Sequence, residues 1–199
     1  MLYPRSIFEL IESFKKLPGI GEKTAERLAF AVLDFDENTS LNFSENIKNI
    51  KEKIKICNIC GTLTEEEVCF ICNDRTRDKE SIMVVETSKD VFLFEKVGNF
   101  KGKYHVLGGL ISPLDDIGPN DLSIDKLFDR IKEDNISEIV LAIKTSIEAD
   151  TTALYIKKIL EKENVSVTRI ASGVPIGADM DYVDALTLET ALKNRKEVL

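Results

Sequence analysis

Four cysteines constrain this chain more than any other feature of its sequence. They form two CxxC pairs with eight residues between the pairs, and the chain has no others: Cys57, Cys60, Cys69 and Cys72. Two CxxC turns bring four thiolates to one ion and complete the tetrahedral sulfur shell that zinc prefers. Pairing into disulfides is the competing interpretation, and it is weakened because nothing in the sequence indicates secretion.

The predicted metal site is structural, with one zinc ion per chain. Four cysteines fill the coordination shell and leave no position for water or substrate. Gly61 and Asn73 each follow the second cysteine of a pair, and both residue types tolerate the left-handed backbone of a tight turn. Because so short a stretch cannot bury a core of its own, the metal is expected to supply its folding energy.

Composition and charge limit the function classes. The chain has 199 residues, 43% of them apolar, and a formal net charge of −8, which argues against coating nucleic acid by bulk charge alone. The N-terminal residues 1–16 contain no signal-peptide pattern, and no stretch approaches the roughly 18 apolar residues of a membrane span. We therefore expect a soluble, cytoplasmic protein.

Two helices joined by a glycine-containing turn are predicted at the N-terminus. Apolar residues recur at helical spacing in residues 6–17 and 22–32, on either side of the sequence LPGIG. In this helix-hairpin-helix pattern, Gly19 and Gly21 let the backbone approach a phosphate, and free N–H groups at the helix start bind the anion. The alternative is a turn between helices used only for packing or dimerisation.

Two basic residues follow that turn on one helical face. Lys23 and Arg27 are four residues apart and could each contact a further phosphate of DNA or RNA. They could equally pair with Glu22 and Glu26 as solvated helix charges.

A third helix is predicted over residues 44–56, with Ile47, Ile50 and Ile54 as its apolar stripe. This segment contains four lysines and two glutamates. A solvated face is the default explanation for such a run, and contact with phosphate is the secondary one.

Strands and helices alternate in the second half of the chain, which predicts a mostly parallel sheet covered by helices. The predicted strands are 82–85, 104–107, 139–143 and 165–170. The predicted helices lie near 90–97, 123–134 and 151–163, and a last one covers about 183–195 after a glycine-rich stretch.

Three acidic residues follow strands of this sheet: Glu86, Glu148 and Asp150. Sites in parallel sheets lie outside the carboxyl ends of the strands, and carboxylates suit Mg²⁺. The alternative assigns Asp150 as N-cap of the 151–163 helix and the two glutamates as ordinary loop acids. His105, the only histidine, lies in an apolar strand and is expected to have a structural role.

Taken together, these motifs resemble the bacterial recombination mediator family RecR over nearly the whole chain. Further matching stretches are YHVLGG at 104–109, ISPL at 111–114 and RIASGVP at 169–175. The resemblance implies an α/β chain of several modules. They are a helix-hairpin-helix with a linking helix at 1–54, a four-cysteine zinc finger at 55–76, a Toprim domain at 79–172, and a C-terminal segment at 173–199 with a Walker-B-like motif and a helix, exchanged between subunits.

The resemblance also implies a function without catalysis. Such proteins form ring-shaped tetramers, bind DNA at gaps and junctions, and act with RecO, and often RecF, to load RecA on gapped single-stranded DNA in repair. Lys23 and Arg27 match the basic positions that face the hole of the ring. The family is cytoplasmic and associated with the nucleoid.

An enzymatic alternative is a Mg²⁺-dependent Toprim nuclease or primase. Toprim enzymes carry a glutamate and a DxD pair, whereas this chain has Glu86 and only Glu148-Ala149-Asp150. The absence of a DxD pair weakens the case for a catalytic metal site, and these acids are then expected to form a partner-binding surface. A third alternative is a scaffold that binds only proteins.

Overall fold

The computed structural model describes residues 2–195 and residue 197. The outer ends of the expected segments 1–54 and 173–199 include residues outside this range. The chain divides into two compact units, Met1–Ile54 and Lys55–Leu199. In the described part, no helix combines the length and the apolar character that crossing a membrane requires.

The first unit contains three helices: α1 (Arg5–Lys15), α2 (Glu22–Val32) and α3 (Glu37–Lys53). Helices α1 and α2 pack together around a small core in which Ile11, Ala25 and Ala29 are buried. The alanines lie on the predicted apolar stripe of α2, and their small side chains allow the two helices to approach closely.

Helix α3 differs at both ends from the predicted 44–56. It begins at Glu37, because the side chain of Asp36 accepts a 2.8 Å hydrogen bond from the Thr39 N–H and caps the helix. It ends earlier than predicted because Lys55–Ile56 form a strand. The apolar stripe is present but uncovered within the unit, with Ile47 and Ile50 each 60% exposed.

The second unit contains a small hairpin module and a larger sheet. The hairpin pairs β1 (Lys55–Ile56) with β2 (Leu63–Thr64), and the short helix α4 (Phe70–Asn73) follows. The sheet strands are β3 (Ser81–Val85), β4 (Lys103–Val106), β5 (Glu138–Ala142) and β6 (Ser166–Arg169). The remaining helices are α5 (Ser88–Val97), α6 (Ile124–Glu133), α7 (Ile147–Leu160) and α8 (Ala185–Lys193).

The four strands of the sheet are all parallel, in the order β4-β3-β5-β6, as the alternation of strands and helices predicted. Strand β3 is buried on both faces. Ile82 and Val84 pack into the core that also contains residues of α6 and α7. Met83 and Val85 point the other way, into a core shared with α5 and the cysteines. The hairpin module is thus fused to one face of the sheet.

Helix α7 corrects one prediction. The N-cap is Ser146, whose hydroxyl accepts a 3.2 Å hydrogen bond from the Ala149 N–H, so the helix begins at Ile147. Asp150 therefore lies inside the first turn and is not the N-cap. Ser146, four residues before Asp150, provides the capping oxygen, so the helix begins earlier than predicted.

His105 is buried in β4, in line with the structural role expected for it. Its Nε2 lies 2.8 Å from the Ser123 carbonyl oxygen, and its Nδ1 lies 3.2 Å from Nη1 of Arg130. Burial lowers the pKa of His105 to about 4. The imidazole is therefore neutral at pH 7, donating from Nε2 and accepting at Nδ1.

Candidate metal centre and nucleic-acid interface

The four cysteine sulfurs converge at one point beside the sheet. Each Sγ lies within 4.8 Å of the other three. Cys57 and Cys60 belong to the hairpin that β1 and β2 form, Cys69 is the N-cap of α4, and Cys72 lies within α4. Three of the four are buried, and Cys72 is half-buried.

The sulfur geometry fits a zinc ion. The Sγ atoms of Cys60 and Cys69 are 3.6 Å apart, close to the edge of about 3.8 Å of a tetrahedron with Zn–S bonds of about 2.3 Å. A disulfide requires about 2.05 Å, and all four cysteines are free. The disulfide interpretation is therefore wrong for this fold, and the four thiolates are the ligands that would hold the metal.

Backbone N–H groups donate hydrogen bonds to two of the four sulfurs. The Cys69 N–H donates to Sγ of Cys57 at 3.3 Å, and the Cys72 N–H donates to Sγ of Cys69 at 3.4 Å. Such donors orient the ligands and favour their deprotonated form.

One of the two turn residues behaves as predicted. Gly61 has φ +77°, and a Cβ there would lie 3.1 Å from the Val106 carbonyl oxygen, so glycine is required both for the turn and for contact with β4. Asn73 instead lies within α4 and donates from Nδ2 to the Val68 carbonyl oxygen. Asn73 therefore does not use the left-handed backbone that its residue type tolerates, because the helical turn of α4 continues through it.

Hydrogen bonds and apolar packing attach the metal module to the sheet and to α5. The Val106 N–H donates to the Cys60 carbonyl oxygen at 2.8 Å, and the Leu63 N–H donates to Oγ of Ser88 at 3.1 Å. Ile71 of α4 is fully buried in the core on this face. The metal module is therefore part of the second unit.

The turn between α1 and α2 presents open backbone. Gly19 has φ +80°, and a Cβ added at Gly19 or Gly21 would meet nothing within 4 Å. Gly21 is the N-cap of α2, and no side chain caps that end. The first N–H groups of α2 therefore face a surface without steric obstruction, as anion binding at a helix start requires.

Lys23 and Arg27 are exposed on α2 one helical turn apart. Among residues 2–195 and 197, neither takes part in an ion pair. The alternative pairing with Glu22 is not observed, because Glu22 binds Nζ of Lys15 at 2.7 Å. Both cations remain available for phosphate.

The three acids at the carboxyl edge of the sheet are tied to protein groups. Glu86 binds Nζ of Lys144 at 3.0 Å, and Asp150 binds Arg169. A hydrogen bond with Ser146 lowers the pKa of Glu148. Within the described ranges the cysteines are the only cluster of three or more potential metal ligands, so the structure does not gather these acids as it gathers the thiols.

Sequence reasoning missed the cations at this edge. Lys144 follows β5 and Arg169 ends β6, so both occupy the edge at which the acids were sought. The Arg169 guanidinium also donates to the Lys144 carbonyl oxygen at 2.8 Å. The signal was present in the sequence, since the carboxyl ends of parallel strands meet at one edge.

Comparison with known families finds four matching models, one for each part of the chain. They describe a RecR helix-hairpin-helix over residues 7–51, a RecR zinc finger domain with four cysteines over 54–74, a Toprim domain over 80–171 and a RecR C-terminal region over 173–196. The zinc-finger match covers all four cysteines, so two independent observations identify the zinc site.

Curated relatives match over the full chain. "Recombination protein RecR" of Staphylococcus aureus, in strains JH9, Newman and JH1, is 45% identical over 198 residues, which covers 100% of this chain and of each relative. Identity at this level over whole chains, with the helix-hairpin-helix, the zinc centre and the parallel sheet in the same order, leads to one conclusion: this chain belongs to the RecR family.

Proposed function

We propose that this chain is a DNA-binding recombination mediator that acts as an adaptor and not as an enzyme. Its relatives are recombination proteins by name. The observation that carries the DNA-binding role is that Lys23 and Arg27 are exposed and have no ion pair among the described residues, beside the open backbone of Gly19 and Gly21. These groups contact phosphates and not bases, so binding follows the shape of the DNA and not its sequence.

A ring reconciles this role with the net charge of −8. We propose a homotetramer in which the basic α2 faces line the hole while the outer surface stays acidic. Uncovered apolar side chains support assembly: Ile47 and Ile50 on α3, and Ile176 and Tyr182 in the C-terminal segment, which are at least 60% exposed in the single chain. Apolar surface of this extent marks protein interfaces.

The carboxyl edge of the sheet is proposed as the surface that recruits RecO, with which, and with RecF, the protein acts to load RecA on gapped DNA. Of the three acids at this edge, half-buried Glu148 alone forms no ion pair within residues 2–195 and 197, and Ile147 beside it is 82% exposed. Charge complementarity around an apolar centre is typical of such contacts. Binding to DNA would place the protein on the nucleoid within the bacterial cytoplasm.

The test of DNA binding combines Lys23→Ala with Arg27→Ala and titrates labelled gapped duplex at several salt concentrations. Each phosphate contact contributes about 0.9 to the magnitude of the slope of log K against log salt concentration. The slope of the double variant should therefore be smaller by up to about 1.8 for each bound chain. Its affinity for the duplex should fall by at least about tenfold. The matched control is Arg5→Ala with Lys15→Ala, which removes two cations that are already paired with glutamates.

An unchanged slope and affinity in the Lys23/Arg27 variant, with oligomer size preserved, would remove these residues from the interface. The same gapped duplex with Mg²⁺, run on native and denaturing gels, separates the adaptor from a Toprim nuclease. Retardation without new fragments is the expected result, and new fragments would establish catalysis.

Recruitment of RecO is tested by Glu148→Gln combined with Ile147→Ser in a binding assay with purified RecO. A loss of at least about tenfold is expected, because one charge and one exposed apolar anchor are removed. Lys132→Met on α6, exposed but away from this edge, is the control. Equal binding by all three proteins would place the RecO surface elsewhere.

A further inference from the structure

A cavity lies between the metal module and helix α6, and among the described residues its lining includes none of the cysteine ligands and none of the three acids at the carboxyl edge. Its volume is about 460 Å³, within the range of about 300 to 1,000 Å³ typical of small-ligand pockets. Asn58 and Ile59, the two residues between the first pair of cysteines, form one wall. Lys103 of β4 and Lys126 and Arg130 of α6 contribute three cations to its lining.

Arg130 is the unusual member of this lining. Its side chain is 7% exposed, which is rare for a charged group. One corner of the guanidinium is satisfied, because Nη1 donates to the Tyr104 carbonyl oxygen at 2.9 Å and to Nδ1 of the neutral His105 at 3.2 Å. Arg130 is thus held in position from the sheet side.

The opposite edge of the same guanidinium has no hydrogen-bond partner in the described part of the chain. Nε and Nη2 of Arg130 are both buried, and neither makes a hydrogen bond within the described residues. These two nitrogens form the side-on fork with which arginine binds carboxylate or phosphate through two parallel hydrogen bonds. A buried cation with an unsatisfied fork is destabilising, so an oxyanion placed there gains more than it would at an exposed arginine.

The neighbouring charges limit what can bind. Asp129, Glu133 and Asp134 also line the cavity, which balances the three cations in formal charge. Among residues 2–195 and 197, no carboxylate lies within ion-pair distance of Lys103, Lys126 or Arg130. A small ligand of low charge suits this lining, whereas a polyanion such as DNA would be repelled by the three carboxylates.

We propose that this cavity binds a small oxyanion, a phosphate or a carboxylate group, through the Nε and Nη2 fork of Arg130, with Lys103 and Lys126 as the flanking cations. Because both nitrogens have almost no accessible surface, the anion reaches them when a lining side chain shifts. The cavity is lined by the CxxC loop, β4 and α6. A ligand bound there would contact all three elements and would stabilise the junction of the metal module with β4 and α6.

The test is isothermal titration of the intact zinc-loaded protein with inorganic phosphate and, separately, with succinate, at constant ionic strength. One site per chain is expected for one of the two ligands. Arg130→Lys, which cannot form the fork, should weaken binding by at least about tenfold. Lys126→Met should weaken it by about threefold to tenfold while leaving Arg130 in place. Lys132→Met, on the same helix but outside this cavity, should bind as the unmodified protein does.

The outcomes separate the sources of the anion. Heat with phosphate alone assigns a phosphate site, and heat with succinate alone assigns a carboxylate site. If neither phosphate nor succinate binds, the proposal is overturned. Binding that Arg130→Lys and Lys126→Met leave unchanged also overturns it. A thermal melt and zinc content of each variant verify folding, and Lys126→Met, on an exposed position, keeps the test valid if Arg130→Lys fails to fold.

Discussion

The cysteine centre and the acidic edge of the sheet are both sets of potential metal ligands, yet the fold treats them in opposite ways. The four sulfurs lie within 4.8 Å of one another and are largely buried, and backbone N–H groups donate to two of them. At the edge, Glu86 and Asp150 each bind a cation of the protein, and Asp150 and Lys144 are exposed.

The difference shows how ligand sets are assembled. Two CxxC turns bring their thiolates together through local backbone geometry, so a few residues suffice to build the site. The three acids come from different positions after two strands, and the same edge also receives Lys144 and Arg169. Nearby cations neutralise carboxylates and remove the need for a metal, whereas four converging thiolates have no such alternative.

The largest expected effect breaks the cysteine centre. Cys57→Ala leaves three thiolates, which cannot close the zinc shell, so zinc content should fall well below one ion per chain. The free energy of unfolding should fall by on the order of 5 kcal/mol or more, since the metal supplies the folding energy of the module. Metal analysis and thermal melting measure both quantities. Asn58→Ala, in the same turn but not a ligand, should keep its zinc; full zinc content in Cys57→Ala would contradict the assignment.

A second prediction concerns His105, which is buried in β4 and contacts Ser123 and Arg130. Its pKa is lowered from 6.5 to about 4 in the folded state, so the unfolded chain binds more protons between these values. The contribution of neutral His105 to the free energy of unfolding is fully present above about pH 6.5 and is lost as the pH falls toward 4. Between pH 7 and pH 5, the free energy of unfolding should fall by about 2 kcal/mol.

Denaturant unfolding across this pH range measures the effect. His105→Gln, which retains hydrogen-bonding groups and does not titrate, is expected to show a much flatter profile. Equal slopes for the two proteins would mean that His105 is not the group that titrates.

A smaller effect is expected at the acidic edge. Asp150→Asn removes the charge from the pair with Arg169, in which Asp150 is 60% exposed. Exposed pairs contribute about 1 kcal/mol or less, so the melting temperature should shift by only a few degrees. A decrease of more than about 2 kcal/mol in the free energy of unfolding would show that the pair behaves as a buried ion pair. The acidic edge would then differ less from the cysteine centre than is argued above.

The smallest effect is that of Mg²⁺ itself. If the acids do not form a metal site, millimolar Mg²⁺ should leave the thermal melt unchanged, because only a ligand that prefers the folded state stabilises it. Glu148→Gln provides the comparison. Stabilisation by Mg²⁺ in the unmodified protein that disappears in this variant would establish a metal site at the edge.

Local patterns predicted much of the fold and of the metal centre. Helical spacing predicted α1 and α2, and the alternation of strands and helices predicted a parallel sheet. The start of α3 at Glu37 and the cap of α7 at Ser146 were missed, because single capping side chains determine them and several polar residues near each end could have served. For Lys23 and Arg27, the sequence predicted the positions, and the fold added that both are exposed and form no ion pair within residues 2–195 and 197.

The sequence by itself determined the zinc centre and the family, because CxxC spacing specifies local geometry and because motifs along the whole chain keep one order. Only the tertiary structure decided which charges meet at the carboxyl edge and that Arg130 would be buried against His105 with one edge of its guanidinium unpaired. Those arrangements depend on strand order and on the packing of α6 against β4. Residues 25 or more positions apart in sequence become neighbours there, and no local pattern encodes such contacts.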